Sequence, residues 1–174
     1  MEDFEELANL SREDYGSYLF VAGAEEDDLL RHYGVDRSML VESRIVDLSW
    51  GEDGGPRTVV SVMPSVNGWA AVGEHGVDSI GWRIVREVSV GTNAVLLNYS
   101  WARPRLIVAV DGVVSRSVEP TSPAYDPDEA IPEEGGLAFG GPAGYATVFS
   151  FIERLTGHHM TPAWMLGPFL AATV

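Results

Sequence analysis

Residues 92 to 120 read TNAVLLNYSWARPRLIVAVDGVVSRSVEP, and their texture decides the fold class. Val95, Leu97, Tyr99 and Trp101 alternate with Ala94, Leu96, Asn98 and Ser100, the period of two that sends alternate side chains to opposite faces of a sheet. Leu106, Val108 and Val110 resume the alternation after Ala102-Arg103-Pro104-Arg105, and Asp111-Gly112 carries the chemistry of a two-residue type I′ turn. The stretch therefore predicts three consecutive antiparallel strands. A four-residue first loop pairs Trp101 with Leu106, Tyr99 with Val108 and Leu97 with Val110, with the large apolar side chains on one face. Leu96, Asn98, Ser100 and Ile107 then share the other face, a mixed set expected to be lightly covered or wet.

Working outward, the chain upstream reads as shorter pieces of the same kind. Tyr15 to Ala22 suits a strand. Glu25-Glu26-Asp27-Asp28 opens a helix ending at Gly34, because acidic side chains at a helix start are favoured by the helix dipole. Asp36 to Leu40 predicts a further helical turn. Arg44 to Trp50 and Arg57 to Met63 flank GEDGGP as a hairpin, Pro64 ends the second of these strands, and Asn67-Gly68 turns the chain into Trp69 to Val72. From Asp78 to Val88 the period changes, with Ile80, Ile84, Val85 and Val88 along one helical stripe and Trp82 near its edge. Gly91 stops that helix.

Downstream, Thr121 to Gly144 is dense in proline and glycine and predicts a long loop. Tyr145, Val148, Phe149, Ile152 and Leu155 mark an amphipathic helix ending at Gly157. Thr161-Pro162 opens a short helix over Ala163 to Leu166, and Phe169 to Val174 closes as a strand. The organisation expected is an acidic segment at 1–14, then one α+β domain at 15–174 with the Gly/Pro-rich loop at about 120–144. Its mostly antiparallel sheet of six to seven strands is packed in a single layer pair by helices near 25–33, 78–90 and 143–156. Within 1–14, Phe4, Leu7 and Leu10 fall at helical spacing among four Glu and two Asp.

Composition excludes several chemistries. The 174 residues include no cysteine, so disulfide and thiolate chemistry are out, and the 11 basic residues are all arginine. Without lysine there is no Schiff base and no P-loop. The net charge of −15 opposes nucleic acid and anionic membrane and favours a basic partner. MEDFEELANL is acidic where a secretory signal is basic and then apolar, and no apolar run approaches the roughly 20 residues that span a bilayer. A soluble, cytoplasmic protein is expected. The order of its landmarks resembles a large actinobacterial family of uncharacterised proteins, a domain of unknown function. The resemblance covers about residues 15–174 and is carried by Asn67-Gly68-Trp69, Ser89-Val90-Gly91-Thr92, Ser100-Trp101, Asp111-Gly112, Glu119-Pro120 and Asp126-Pro127-Asp128. It continues through Glu153 to Gly157, Thr161-Pro162 and Gly167 to Ala171. That family has no established activity, so the resemblance implies a shared fold and no site residues.

Among possible sites, His158-His159 and Glu74-His75 lack the spacing of a zinc centre, and no G-x-S-x-G elbow or G-x-G-x-x-G loop occurs. No catalytic residue, metal or cofactor is assigned. The cluster that suits binding is aromatic and arginine: Asn67, Trp69, His75, Trp82, Asn98, Trp101, Arg103 and Arg105, with Glu25, Glu26, Asp27 and Asp28 as an acidic surface. Tryptophan and arginine are the side chains that dominate protein interfaces. The function expected is a non-enzymatic protein-binding module, an inhibitor or immunity-type acidic protein with a basic protein partner, with a homo-oligomer also compatible. The alternative is a small-molecule site or enzyme pocket between the three-strand meander and the Gly/Pro-rich loop, with Asn98, Ser100, His75 and Arg103 contributing.

Overall fold

The computed structural model describes residues 16–43, 57–76, 80–99, 104–141, 143–161 and 168–174. Among them run eight strands: β1 (Gly16–Ala22), β2 (Val41–Ser43), β3 (Val59–Val66), β4 (Trp69–His75), β5 (Asn93–Tyr99), β6 (Arg105–Val110), β7 (Val113–Val118) and β8 (Phe169–Thr173). Three α-helices accompany them, α1 (Glu26–His32), α2 (Ile80–Val88) and α3 (Gly144–Thr156). The strands form one sheet in the order β2-β8-β3-β4-β1-β5-β6-β7, antiparallel throughout. The α+β class holds, with eight strands where six to seven were expected. The expected strand at Arg44 to Trp50, the GEDGGP turn, the helix at Ala163 to Leu166 and the segment 1–14 lie outside the described residues.

The single layer pair gives way to three layers, because the sheet is buried on both faces. In β1, Tyr18 and Phe20 join one core with Val95, Leu97, Leu106 and Val108 under Phe149, Phe151 and Ile152 of α3. Leu19 and Val21, on the opposite face, join a second core with Ala94, Leu96, Ile107 and Ala109 under Leu29 and Leu30 of α1 and Ile84 and Val85 of α2. The face expected to be wet is therefore roofed: Leu96 is fully buried and Ile107 nearly so. A strand covered on both sides needs apolar residues at every position rather than at alternate ones, which is how LFV in β1 and AVLL in β5 read. Each large side chain buried this way contributes about 1.5–3 kcal/mol of transfer free energy.

The meander's register also differs. Leu97 pairs with Leu106, Val95 with Val108 and Asn93 with Val110, a slide of four residues from the register that a four-residue loop would impose. Four is an even number, so every side chain keeps its face. Both two-residue turns form as their sequences require, with positive φ at Asn67 (50°), Gly68 (77°), Asp111 (48°) and Gly112 (77°). Pro64 does not end β3; it sits at a register shift between Met63 and Val66, where a residue without an N–H is tolerated.

Candidate functional site

Register places four polar residues side by side at one end of the face that carries α1 and α2. Glu74 of β4 pairs with Ser17 of β1, Ser17 with Asn98 of β5, and Asn98 with Arg105 of β6. Helix α2 begins over this row. The Glu74 carboxylate accepts the backbone N–H of Ile80 (2.5 Å) and of Gly81 (2.9 Å) and the Ser17 hydroxyl (3.1 Å). Two of the amides left over at a helix start are thereby satisfied by a side chain from the neighbouring strand. Burial raises the Glu74 pKa above the ordinary carboxylate range and outweighs these hydrogen bonds, which act the other way. Gly81 packs closely here: a Cβ there would lie 2.9 Å from Leu96 Cδ1 and 3.0 Å from the Tyr33 hydroxyl, so both side chains would have to shift for a larger residue. That hydroxyl is buried with no hydrogen-bond partner among the described residues, and burial, with the Glu74 charge second, pushes its pKa well up.

At the outer end of the row the chemistry turns outward. The Arg105 guanidinium lies 5.5 Å from the centre of the Trp82 ring, within the range of a cation–π contact, and Trp82 is 43% exposed. Next to it on α2, Arg83 and Arg86 are exposed. The other end of α2 is pinned to the β6–β7 hairpin, where Gly112 N–H donates to the Ser89 carbonyl (3.2 Å) and a Val90 methyl lies against Gly112. Val90, Val113 and Val110 are exposed there. The outward face of α2 thus carries Trp82 beside Arg83, Arg86 and Arg105, with Glu87 exposed on the same helix, while the pairing of Val113 with Val110 puts both on the face of Val108, opposite α2.

The other sequence-assigned residues scatter. His75 is buried on the opposite face, its ring edge-on to Tyr18 at 5.7 Å, and burial lowers its pKa to about 4. It is neutral at pH 7 and belongs to the core. Trp69 is half-buried against the α3 core. Asn67 sits in the β3–β4 turn, packed on Gly157 at the end of α3. Trp101 and Arg103, with Ser100, lie outside the described residues. The two adjacent histidines separate: His158 is buried and contacts the Pro64 carbonyl through Nε2 (3.1 Å), while exposed His159 meets Glu153 (3.1 Å).

Glu25 to Asp28 line an open concavity of about 500 Å³ with Arg31, Arg37 and Ser65. Their charge is partly compensated in place. Arg37 reaches Asp27 (2.6 Å) and Glu26 (3.5 Å), Arg31 bonds Asp28, and Ser65 donates to Glu26 (3.0 Å). Among the described residues no group of three or more histidine or acidic side chains could hold a metal ion, and no helix is long and apolar enough to cross a membrane.

No family model matches the chain, and no curated protein or solved structure is detectably similar to it.

One polar cluster escaped the sequence reading altogether. Arg116 of β7 and Glu134 are both buried and meet through two hydrogen bonds, Nε to Oε1 at 2.8 Å and Nη2 to Oε2 at 3.2 Å. The Tyr125 hydroxyl donates to the same carboxylate at 2.7 Å, and Arg116 also reaches Glu129 and the Asp126 carbonyl. Burial raises the Glu134 pKa, but the Arg116 and Tyr125 hydrogen bonds, with a third from the Ile131 N–H, outweigh it and hold the pKa below the ordinary value. This cluster clamps the Gly/Pro-rich loop onto the sheet edge. Eighteen residues separate Arg116 from Glu134, and no local pattern announces the pair.

Proposed function

We propose that this chain is a non-enzymatic protein-binding module of inhibitor type, and that its contact surface is the outward face of α2. The observation that carries the reading is the Trp82–Arg105 pair at the protein surface. A large aromatic and an arginine held by rigid elements are what a binding hot spot is made of. The buried polar clusters are structural by contrast: Glu74 caps a helix and Arg116 and Glu134 close a loop. The net charge of −15 attracts a basic partner over long range, and at contact that partner's charge falls on the carboxylates of α1 and on exposed Glu87, beside rather than on the arginines of α2. The carboxylates of α1 lie on the same face as α2, and the His32–Glu87 contact at 3.5 Å joins the two helices, so one partner can span both.

The small-molecule alternative loses support because its proposed residues do not converge. Asn98 shares the α2 face with Leu96, whereas His75 packs beside Tyr18 under α3.

The test is affinity capture with the tagged full chain, wild type against Trp82→Ala, at low and high salt. The reading expects a basic protein retained by the wild type, released by salt and lost with the variant. Removing an interface tryptophan costs about 2 kcal/mol or more, roughly a 30-fold loss of affinity. Identical recoveries from both proteins would refute it.

A further inference from the structure

Basic side chains are scarce in this chain, 11 against 26 acidic ones, and several arginines are matched within the fold. Arg31, Arg37 and Arg116 each pair with carboxylates of their own chain. Arg83, Arg86 and Arg105 differ. Exposed around Trp82, they form no ion pair among the described residues. Their complement is a set of carboxylates from outside the chain.

The same face carries such a set at its other end. Four residues, one helical turn of about 6 Å, separate Arg83 from Glu87, which meets His32 of α1 at 3.5 Å. Four more lead from His32 back to Asp28, in the run of carboxylates from Glu25. The α2 end thus sets three arginines against exposed Glu87, and the α1 end sets four carboxylates against Arg31 and Arg37. The His32–Glu87 contact lies between the two ends. A two-fold axis passing there exchanges them, so that the arginine end of each copy faces the carboxylate end of the other. An isologous interface uses one patch on both partners, and a patch bearing both signs is complementary to itself. A partner of one sign matches one end and is repelled by the other.

We infer that the α1–α2 face is a two-fold self-association surface, in which Arg83, Arg86 and Arg105 of one copy meet the carboxylates of Glu25 to Asp28 of the second copy and both Trp82 side chains are covered. Two chains of net charge −15 repel one another, but that repulsion is screened beyond about 8 Å at physiological ionic strength, and partly buried pairs are screened much less. The association is therefore weak, and the dilute chain is a monomer with this face open. The inference rests on the charges of the face and not on the binding role proposed above.

Sedimentation velocity of the full chain at about 0.15 M salt, from roughly 10 to 500 µM, where a weak dimer becomes populated, is the test. The expected result is a dimer that grows with concentration. Arg83→Glu with Arg86→Glu, and separately Glu25→Arg with Asp28→Arg, each juxtapose like charges at both contacts and weaken it roughly tenfold or more. An equimolar mixture of the two variants restores association, because each reversed end then meets its complement. Circular dichroism checks the fold of both. Arginine at the start of α1 opposes the helix dipole, so Glu25→Gln with Asp28→Asn serves as a second α1 variant, expected to weaken the dimer without reversal. A wild type that stays monomeric throughout overturns the inference. So does a dimer indifferent to the arginine substitutions, which fall at exposed positions, or a mixture no more associated than its components. A monomeric wild type with partner capture still sensitive to Trp82→Ala removes the self-association alone. A dimer with no partner captured removes the binding role alone.

Discussion

His75 and Glu74 are sequence neighbours that point to opposite faces of β4, and their environments give opposite pH dependences. Burial holds His75 near pKa 4, below its ordinary 6.5, so between these values the unfolded chain takes up a proton that the fold refuses. Its contribution is fully present above pH 6.5 and is lost as pH falls toward 4, by about 3 kcal/mol. Glu74 is raised, so the fold holds its proton more tightly than the unfolded chain does, and stability is lost as pH rises through the shifted value. The two run against each other, and a substitution is needed to separate them. Urea unfolding of wild type and His75→Gln between pH 7 and pH 4.5 is expected to show a steeper loss in the wild type. Parallel curves would mean that His75 is not buried in its neutral form. At this scale the sequence conveyed residue type but not task. Trp82 and Arg105 were grouped in one cluster by residue type alone, and of that cluster these two meet at the surface, whereas His75 and Glu74, adjacent in sequence, serve the core and a helix cap.

Among elements, those set by local chemistry were legible. Asn67-Gly68 and Asp111-Gly112 form the expected turns because both central positions need positive φ, and Gly157, with φ at 81°, stops α3 where the periodicity ends. What depends on contacts distant in sequence was not legible. The β5–β6 register follows from a connection whose length the alternation does not encode. Strand β2, three residues long and paired with β8, is too short for any period to show. The segment at about 120–144 could be read only as a long Gly/Pro-rich loop, because its order comes from Arg116 rather than from its own composition. That anchor is testable. Glu134 ionises below the ordinary 4.5, so its stabilising contribution is present above that pH and is lost as pH falls through the lowered value. In wild type, amide protection over residues 126–137 is expected to drop on acidification below about pH 4.5. In Glu134→Gln it is already weak at pH 7, with a cost of roughly 3–5 kcal/mol for leaving Arg116 without its buried partner. Equal protection in the two proteins at pH 7 would show that the loop is held by its apolar contacts, Tyr125 on Phe139 and Phe139 on Phe151.

For the whole molecule, the layers divide the work. The α3 face is closed by the clamped loop and buries its aromatics, while the α1–α2 face keeps an acidic rim and the exposed Trp82 with its arginines within one surface. Two-sided burial was missed because Asn98 and Ser100 made the second face of the meander a mixed set, and only a helix packed on each side shows Leu96 and Ile107 to be core. The central claim is that this second face does the binding. Hydrogen exchange of the full chain with and without the partner recovered by capture tests it most directly. The account predicts added protection in α2, the start of β6 and the β6–β7 turn, with the Pro120–Gly141 loop unchanged. Protection confined to that loop and α3 would place the interface on the opposite face and contradict it.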